Sequence, residues 1–164
     1  MFARGWNLGG RSASAAMSLA LVLCASPLAA QKTTLTLVGG TINFNAPTAA
    51  DYIAGYIDSP TGVTFTVSAQ TGTSRTTTVS VRSTSASLGG AKLIGDLQWR
   101  RSDLATWNSL TLTDAQVEQR VVVKGVLNDP WSNTIFFRML LNWTTDPPGT
   151  YSGNYQITIS QTVP

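Results

Sequence analysis

The sequence predicts an all-β protein, built as a single antiparallel β-sandwich of about seven to nine strands. Three observations predict this fold class. Residues 135–143 and 151–159 each place large apolar side chains at the odd positions, and such period-two alternation is typical of strands with one buried face. Shorter segments of the same kind recur along the chain between turn-forming residues. No amphipathic segment after residue 31 is long enough to predict a regular helix.

Residues 1–30 have the composition of a secretory signal peptide. Arg4 and Arg11 are the only charged residues, an apolar run rich in Ala and Leu follows, and small residues end the segment. This order is typical of cleaved export signals, and the apolar run is too short to span a membrane. We therefore expect cleavage after Ala30, which leaves one domain, residues 31–164, exported to the periplasm or the cell surface.

Cys24 is the only cysteine of the sequence, and it suggests a second interpretation of this segment. Leu21-Val22-Leu23-Cys24 has the outline of a bacterial lipoprotein box, in which the cysteine becomes the lipidated first residue. A small residue is expected just before that cysteine, where this sequence has Leu23. The cleaved signal peptide is therefore the favoured interpretation.

The predicted mature chain has a composition that argues against several classes of function. Removing thirty of the 164 residues leaves 134, without cysteine or histidine, and with nine Lys and Arg against eight Asp and Glu. Near-neutrality argues against nucleic acid and anionic membranes as partners. The commonest general base and the soft metal ligands are missing, so we expect no enzyme, metal or cofactor. A glycosidase-like pair of carboxylates is the alternative that the sequence leaves open.

The strands follow one another along the chain, separated by segments rich in Gly, Pro, Asn and Ser. Gly39-Gly40 interrupts the alternation early, and residues 51–57 are compatible with a strand or with a covering loop. The other predicted strands are 34–38, 41–44, 62–68, 75–83, 94–101, 117–123, 135–143 and 151–160.

The last two predicted strands form a closing hairpin, which we expect to be the centre of the core. Asp146-Pro147-Pro148-Gly149 supplies the residues that stop a strand and turn the chain. Five side chains share the inward parity of this hairpin, and we expect all of them to be buried: Phe137, Leu141, Trp143, Tyr151 and Ile157.

The four tryptophans of the mature chain are the candidates for ligand contact. Trp99 and Trp143 lie in register with apolar neighbours, so we expect them in the core. Trp107 and Trp131 lie in predicted loops, where exposed aromatic rings can contact a carbohydrate. The alternative for these two is a cover over the end of the sandwich, which is the more common use of a loop tryptophan.

Residues 147–159 carry a resemblance to a known class of proteins. Pro147-Pro148-Gly149-Thr150-Tyr151 and the alternating residues after it resemble the closing strand of bacterial secreted sandwich domains of the spore coat protein U and fimbrial-subunit type. The spacing of Asp146, Gly149 and Tyr151 is also similar to the tyrosine corner of immunoglobulin-like domains. The resemblance implies an immunoglobulin-like outline and a surface or fibre component, and it brings no catalytic residues.

The sequence thus predicts an exported, non-catalytic structural or adhesive surface protein, such as a fibre or coat subunit. The alternative is a carbohydrate-binding module that uses Trp107 and Trp131. Partners would be copies of the protein or other surface proteins in the first case, and a polysaccharide in the second. No membrane span is expected in either case.

The first strand bears on the structural role. Residues 31–38 alternate, are rich in polar side chains and precede Gly39-Gly40, which would let them swing away from the domain. Such a segment can pair within its own sheet, or it can add to an edge of another molecule. In an exchange, Leu35 and Leu37 would fill the neighbour's groove. Pairing within its own domain is the more common arrangement.

We predict that the exported protein begins at Gln31, because the charge and hydropathy pattern of the first thirty residues is that of a cleaved signal. Intact-mass measurement of the secreted form should give the mass of residues 31–164. A Cys24→Ser variant should give the same mature mass. A mature protein that carries lipid on Cys24 would contradict the prediction.

Overall fold

A computed structural model shows two antiparallel β-sheets packed against each other, which confirms the predicted all-β sandwich. The signal peptide predicted for residues 1–30, with Cys24, lies outside the described residues, and so does Leu37. The structure describes residues 32–36, 39–70, 73–89, 92–123 and 130–163.

Within the described ranges, twelve strands and one short α-helix follow one another, and a 3₁₀ helix is present at Ile94–Asp96. They are β1 (Lys32–Thr36), β2 (Gly39–Asn43), α1 (Ala49–Ala54), β3 (Tyr56–Asp58), β4 (Val63–Gln70), β5 (Arg75–Ser83), β6 (Ser87–Gly89), β7 (Lys92–Leu93), β8 (Leu97–Arg101), β9 (Asn108–Ser109), β10 (Ala115–Val122), β11 (Trp131–Leu140) and β12 (Ser152–Thr162). Eight of these strands have five residues or more, in agreement with the expected seven to nine, and the other four have two or three.

The first sheet has the strand order of the immunoglobulin outline, whereas the second sheet departs from it, because β10 follows β8 in the chain and β2 precedes β4. The first sheet has the order β1-β4-β11-β8-β9, and β3 pairs with the C-terminal half of β11. The second sheet has the order β10-β5-β12-β2. Strands β1-β4-β11-β8 thus correspond to A-B-E-D of that fold, and β5-β12 correspond to C-F. Strand β2 lies beside β12, on the flank where an immunoglobulin domain has its last strand.

Strand β11 lies at the centre of the core. Its inward side chains Ile135, Phe137 and Met139 are fully or almost fully buried, as strand periodicity requires. The ring of Phe137 lies 5.5 Å from the ring of Tyr155, which belongs to β12 in the opposite sheet. The two sheets therefore meet at the residues with the strongest alternation in the sequence.

Residues 51–57 form the end of a short helix and the start of a strand. Helix α1 begins after Thr48, whose side chain accepts a hydrogen bond from the backbone N–H of Asp51, while Asp51 accepts one from the N–H of Thr48. It ends at Gly55, which has the left-handed backbone (φ 78°) that glycine adopts without strain. The helix buries Tyr52 beneath it, and β3 then pairs with β11.

Four of the five side chains expected in the core of the closing hairpin are buried, namely Phe137, Leu141, Tyr151 and Ile157. The expectation for Trp143 is wrong, because this residue is 59% exposed. Strand β11 ends at Leu140 and the chain then turns, so the strand parity no longer determines which way a side chain points.

The hydroxyl of Tyr151 donates a hydrogen bond to the backbone carbonyl of Pro147, at 2.5 Å. This bond from a tyrosine at the start of a strand to a carbonyl four residues upstream is the tyrosine-corner arrangement that the spacing suggested. Burial raises the pKa of Tyr151 above its ordinary value, so the hydroxyl keeps its proton and remains a donor.

We predict that Ile157→Ala lowers the free energy of unfolding by about 2–5 kcal/mol, because the substitution leaves a cavity at a fully buried site. Val121→Ala is the matched control, since Val121 is a strand residue that is largely exposed, and it should change stability by about 0.5 kcal/mol or less. Urea midpoints of the two variants provide the measurement. Equal midpoints would show that the core register is wrong.

Candidate functional site

Strand β1 is an edge strand, joined to the sandwich on one side only. Its five residues pair with β4 in a regular antiparallel register from Lys32 opposite Gln70 to Thr36 opposite Thr66. Within the described ranges, its other side has no strand partner. The strand that the sequence singled out for exchange is thus paired within its own domain in this structure.

The side chains of β1 contribute little apolar burial. Leu35 is partly buried against the core, while Thr34 and Thr36 are exposed. The hydroxyl of Thr33 is buried and has no hydrogen-bond partner in the described structure, which is unfavourable. Leu37, the second apolar side chain proposed for exchange, lies outside the described residues. The attachment of β1 therefore depends mainly on its backbone ladder.

Gly39 and Gly40 are not a free swivel between β1 and the domain, and the sequence-based expectation for them is wrong. They begin β2 and pair with Gln156 and Tyr155 of β12. A Cβ atom at Gly39 would lie 2.8 Å from the backbone oxygen of Tyr155, and one at Gly40 would lie 3.0 Å from the Tyr155 hydroxyl. Close approach of two strands is what requires glycine here.

Another open edge lies at the end of β12, in addition to those of the outer strands β2, β9 and β10. Strand β2 covers β12 from Ser152 to Gln156, whereas β5 pairs with it from Tyr155 to Thr162. Residues 157–162 therefore have a strand on one side only within the described structure. Unpaired backbone groups of this kind are where an added strand can bind.

Trp131 is not in a loop, which corrects the sequence-based placement. It is the first residue of β11 and is 7% exposed, and the guanidinium of Arg120 lies 5.0 Å from the centre of its ring. Its indole offers no open face of useful size to a carbohydrate.

Trp107 does lie in a loop, and it is partly exposed on the outer face of the first sheet. The guanidinium carbons of Arg100 and Arg138 lie 5.0 Å and 4.4 Å from the centre of its ring, within the range of cation–π contacts. A small cavity of about 190 Å³ adjoins the cluster and is also lined by Asp58 and Phe136. Trp107 thus covers two arginines on a sheet face, and it does not cover the end of the sandwich.

A larger cavity than this one lies elsewhere, beside Trp143. It has a volume of about 270 Å³ and is lined by residues of the turn between β11 and β12 together with Tyr52. The rings of Tyr52 and Trp143 are stacked, with centres 4.4 Å apart and planes 25° apart. The turn residues that complete the lining are Thr144, Thr145, Asp146, Pro147 and Pro148.

A buried ion pair fixes this turn. Lys92 of β7 donates to the carboxylate of Asp146 at 2.5 Å, and the two side chains are only 5% and 7% exposed. Lys92 also lies 3.1 Å from the carboxylate of Asp96, and Asp146 accepts a second hydrogen bond from the backbone N–H of Asn142 at 2.7 Å. The charge buried at Asp146 is therefore fully compensated, as burial requires.

Further hydrogen bonds hold the rest of the turn. The side-chain oxygen of Asn142 accepts from the backbone N–H of Thr144 at 2.9 Å and from its hydroxyl at 2.8 Å. The backbone N–H of Asp146 donates to the carbonyl of Asn142, and the hydroxyl of Tyr52 donates to the carbonyl of Asp146, both at 3.0 Å. Asp146 is the buried side chain of this turn, while Asn142, Trp143 and Thr144 are exposed.

Sequence reasoning missed this site. Lys92 and Asp146 are 54 positions apart, and nothing in the local pattern of either residue indicates the other. The spacing of Asn142 and Thr144 is the one local signal, because an asparagine that bonds the backbone two residues on marks a turn. That signal would have ended the strand before Trp143.

The described ranges contain no group of three or more His, Cys, Asp or Glu arranged to hold a metal ion. In the same part of the chain, no helix has the length and apolar character needed to cross a membrane.

Comparison of the chain with protein families, curated proteins and solved structures finds no match. The resemblance of residues 147–159 to secreted surface domains accordingly remains an expectation drawn from the sequence. Functional inference has to proceed from the geometry of the edges and of the turn.

The Lys92–Asp146 pair predicts a dependence of stability on pH. Burial alone raises the pKa of Asp146, but the hydrogen bonds from Lys92 and from the N–H of Asn142 outweigh it, and the pKa lies below its ordinary value of 3.8. A carboxyl with a lowered folded-state pKa stabilises the fold fully above its unfolded pKa. That contribution is lost as the pH falls through the folded-state pKa.

We therefore expect Asp146→Asn to be less stable than the wild type by about 3 kcal/mol at neutral pH. This is the lower end of the range for a broken buried pair, because Asp96 remains beside Lys92. The difference should be constant above pH 3.8 and should shrink below it. Urea denaturation of both proteins across this range is the measurement. A difference that does not change under strongly acidic conditions would contradict the assignment.

Proposed function

We propose that this protein is an exported, non-catalytic structural subunit that joins copies of itself by exchanging strand β1. The observation that carries the proposal is the attachment of β1, which is paired with β4 alone and buries part of a single apolar side chain, Leu35. Export is supported by the composition of residues 1–30, and a structural role is supported by the lack of the usual catalytic side chains.

Exchange costs little once the strand has been released. The same five residue pairs with β4 form again when β1 comes from a neighbouring molecule, so the backbone ladder is conserved. Release itself leaves the edge of β4 from Thr66 to Gln70 without its strand partner. The β1 strand of a neighbouring molecule pairs with this edge again. Its Leu35 then occupies the groove that the molecule's own Leu35 has left.

The geometry of exchange determines the assembly. Two molecules that exchange β1 reciprocally form a closed dimer, whereas donation from each molecule to the next forms an open chain. The open edge of β12 at residues 157–162 offers a further position for strand addition. An open chain suits a fibre or coat subunit at the cell surface, and such a subunit can serve an adhesive role by presenting its loops in many copies.

We predict that exchange can be trapped by a disulfide between two different chains. Thr34 of β1 and Ser68 of β4 are opposite each other on the outer face of the first sheet. Two variants, Thr34→Cys and Ser68→Cys, should be made separately on a chain that begins at Gln31, so that the engineered thiols are the only ones. After co-refolding and oxidation, the mixture should form a disulfide-linked heterodimer, because β1 of one chain lies on β4 of the other.

Two controls interpret the result. A single chain with both substitutions should close its disulfide internally and so establish the register. A mixture of Thr64→Cys and Thr134→Cys, which are opposite each other on the internal strands β4 and β11, should remain monomeric. If the first mixture also remains monomeric while the double variant closes, β1 does not exchange and the proposal fails.

A further inference from the structure

Trp143 forms a rigid, outward-facing aromatic surface. One of its faces is stacked on Tyr52, which is itself 5% exposed and tied by its hydroxyl to the carbonyl of Asp146. The residue nevertheless remains 59% exposed, the most exposed of the tryptophans in the described ranges. Single exposed apolar residues are common, but here the surrounding turn fixes the ring in place.

The turn is organised before any ligand arrives. The buried Lys92–Asp146 pair and the hydrogen bonds of Asn142 hold the backbone on both sides of Trp143. A ring held in this way loses little conformational freedom when it binds something, so less of the interaction free energy is spent on ordering. This arrangement favours a binding surface over a side chain that is merely exposed.

The size of the cavity beside the ring limits the size of the ligand group that can bind there. Its volume of about 270 Å³ is at the lower end of small-molecule sites, so it has room for one ring of a larger molecule. The lining combines apolar surface from Trp143 and Pro148 with the hydroxyls of Thr144 and Thr145. A ligand that has one flat apolar face and a polar edge is complementary to this lining.

The charge of the site points to a neutral ligand. Asp146 is the only ionisable carboxyl or amine that lines the cavity among the described residues, and Lys92 neutralises it. Lys92 also pairs with Asp96, so neither Lys92 nor Asp146 has an uncompensated charge that would bind an ion. The arginines that stack on Trp107 belong to the other cavity.

From these observations we infer that the Trp143 surface binds a neutral pyranose unit of a polysaccharide, with the flat C–H face of the sugar stacked on the indole. The hydroxyls of Thr144 and Thr145 face the hydroxyl edge of the ring. A proline-rich peptide fits less well, because such peptides bind grooves lined by several exposed aromatic rings, and Tyr52 is buried. The inference is independent of strand exchange, since it uses no residue of β1.

The test measures binding of the exported chain to soluble hexamers of glucose and of mannose, by calorimetric titration and by saturation-transfer NMR. At least one of these neutral oligomers should bind. Trp143→Ala should weaken that binding at least about tenfold, because it removes the stacking surface, and Trp143→Phe should retain an intermediate affinity. Oligogalacturonate, an acidic probe of similar length, should bind no better than the neutral oligomers.

Matched controls distinguish loss of the binding site from loss of the folded structure. Trp107→Phe should leave binding unchanged, since Trp107 adjoins a different cavity. Trp143→Ala should keep the far-ultraviolet spectrum of the wild type, because the side chain is outside the core. The inference is overturned if no neutral oligomer binds at millimolar concentration, or if Trp143→Ala binds as the wild type does. It is also overturned if decaproline binds through Trp143 and the sugars do not.

Discussion

Burial of the inward side chains of β11 is the constraint on which the rest of this structure depends. Ile135, Phe137 and Met139 fill the space between the sheets, and they do so only if β11 is held on both sides. Strand β8 pairs along one side of it, while β4 and then β3 pair along the other. The outer strands of the first sheet are placed through these neighbours, so β1 and β9 are each two strands away from the centre and pair on one side only within the described ranges.

Sequence reasoning succeeded where alternation and burial coincide, and it failed where a strand ends. Phe137 and Ile157 were placed correctly because period-two alternation continues on both sides of them. Trp143 continues the same alternation in the sequence, but the backbone leaves the strand at Leu140, and alternation alone carries no signal for that point. The expectation for Trp131 was wrong in the opposite sense, because a polar neighbour suggested a loop where β11 begins.

The turn beside Trp143 was beyond the reach of sequence patterns for a different reason. Its geometry depends on Lys92 and Asp146, whose contact is created by the packing of the two-stranded β6-β7 sheet against the end of the sandwich. A buried ion pair adds little net stability compared with apolar packing, since both charges lose their hydration. Here the pair instead specifies the conformation of the turn, because the hydrogen bonds of Asp146 are satisfied only when the turn has this one shape.

An edge that exchanges and a surface that binds place opposite demands on the chain. Exchange requires a segment whose local opening costs little, and β1 meets this demand because it is paired on one side and buries little apolar surface. Binding requires a surface whose shape is fixed beforehand, and the turn at Trp143 meets this demand through Lys92 and Asn142. The weak attachment and the buried ion pair belong to different elements, so opening β1 leaves the bonds of the turn unbroken. A subunit that exchanges strands would therefore keep the proposed sugar-binding surface intact in every copy, and repetition of a weak site along a fibre would raise the overall affinity without any new contact.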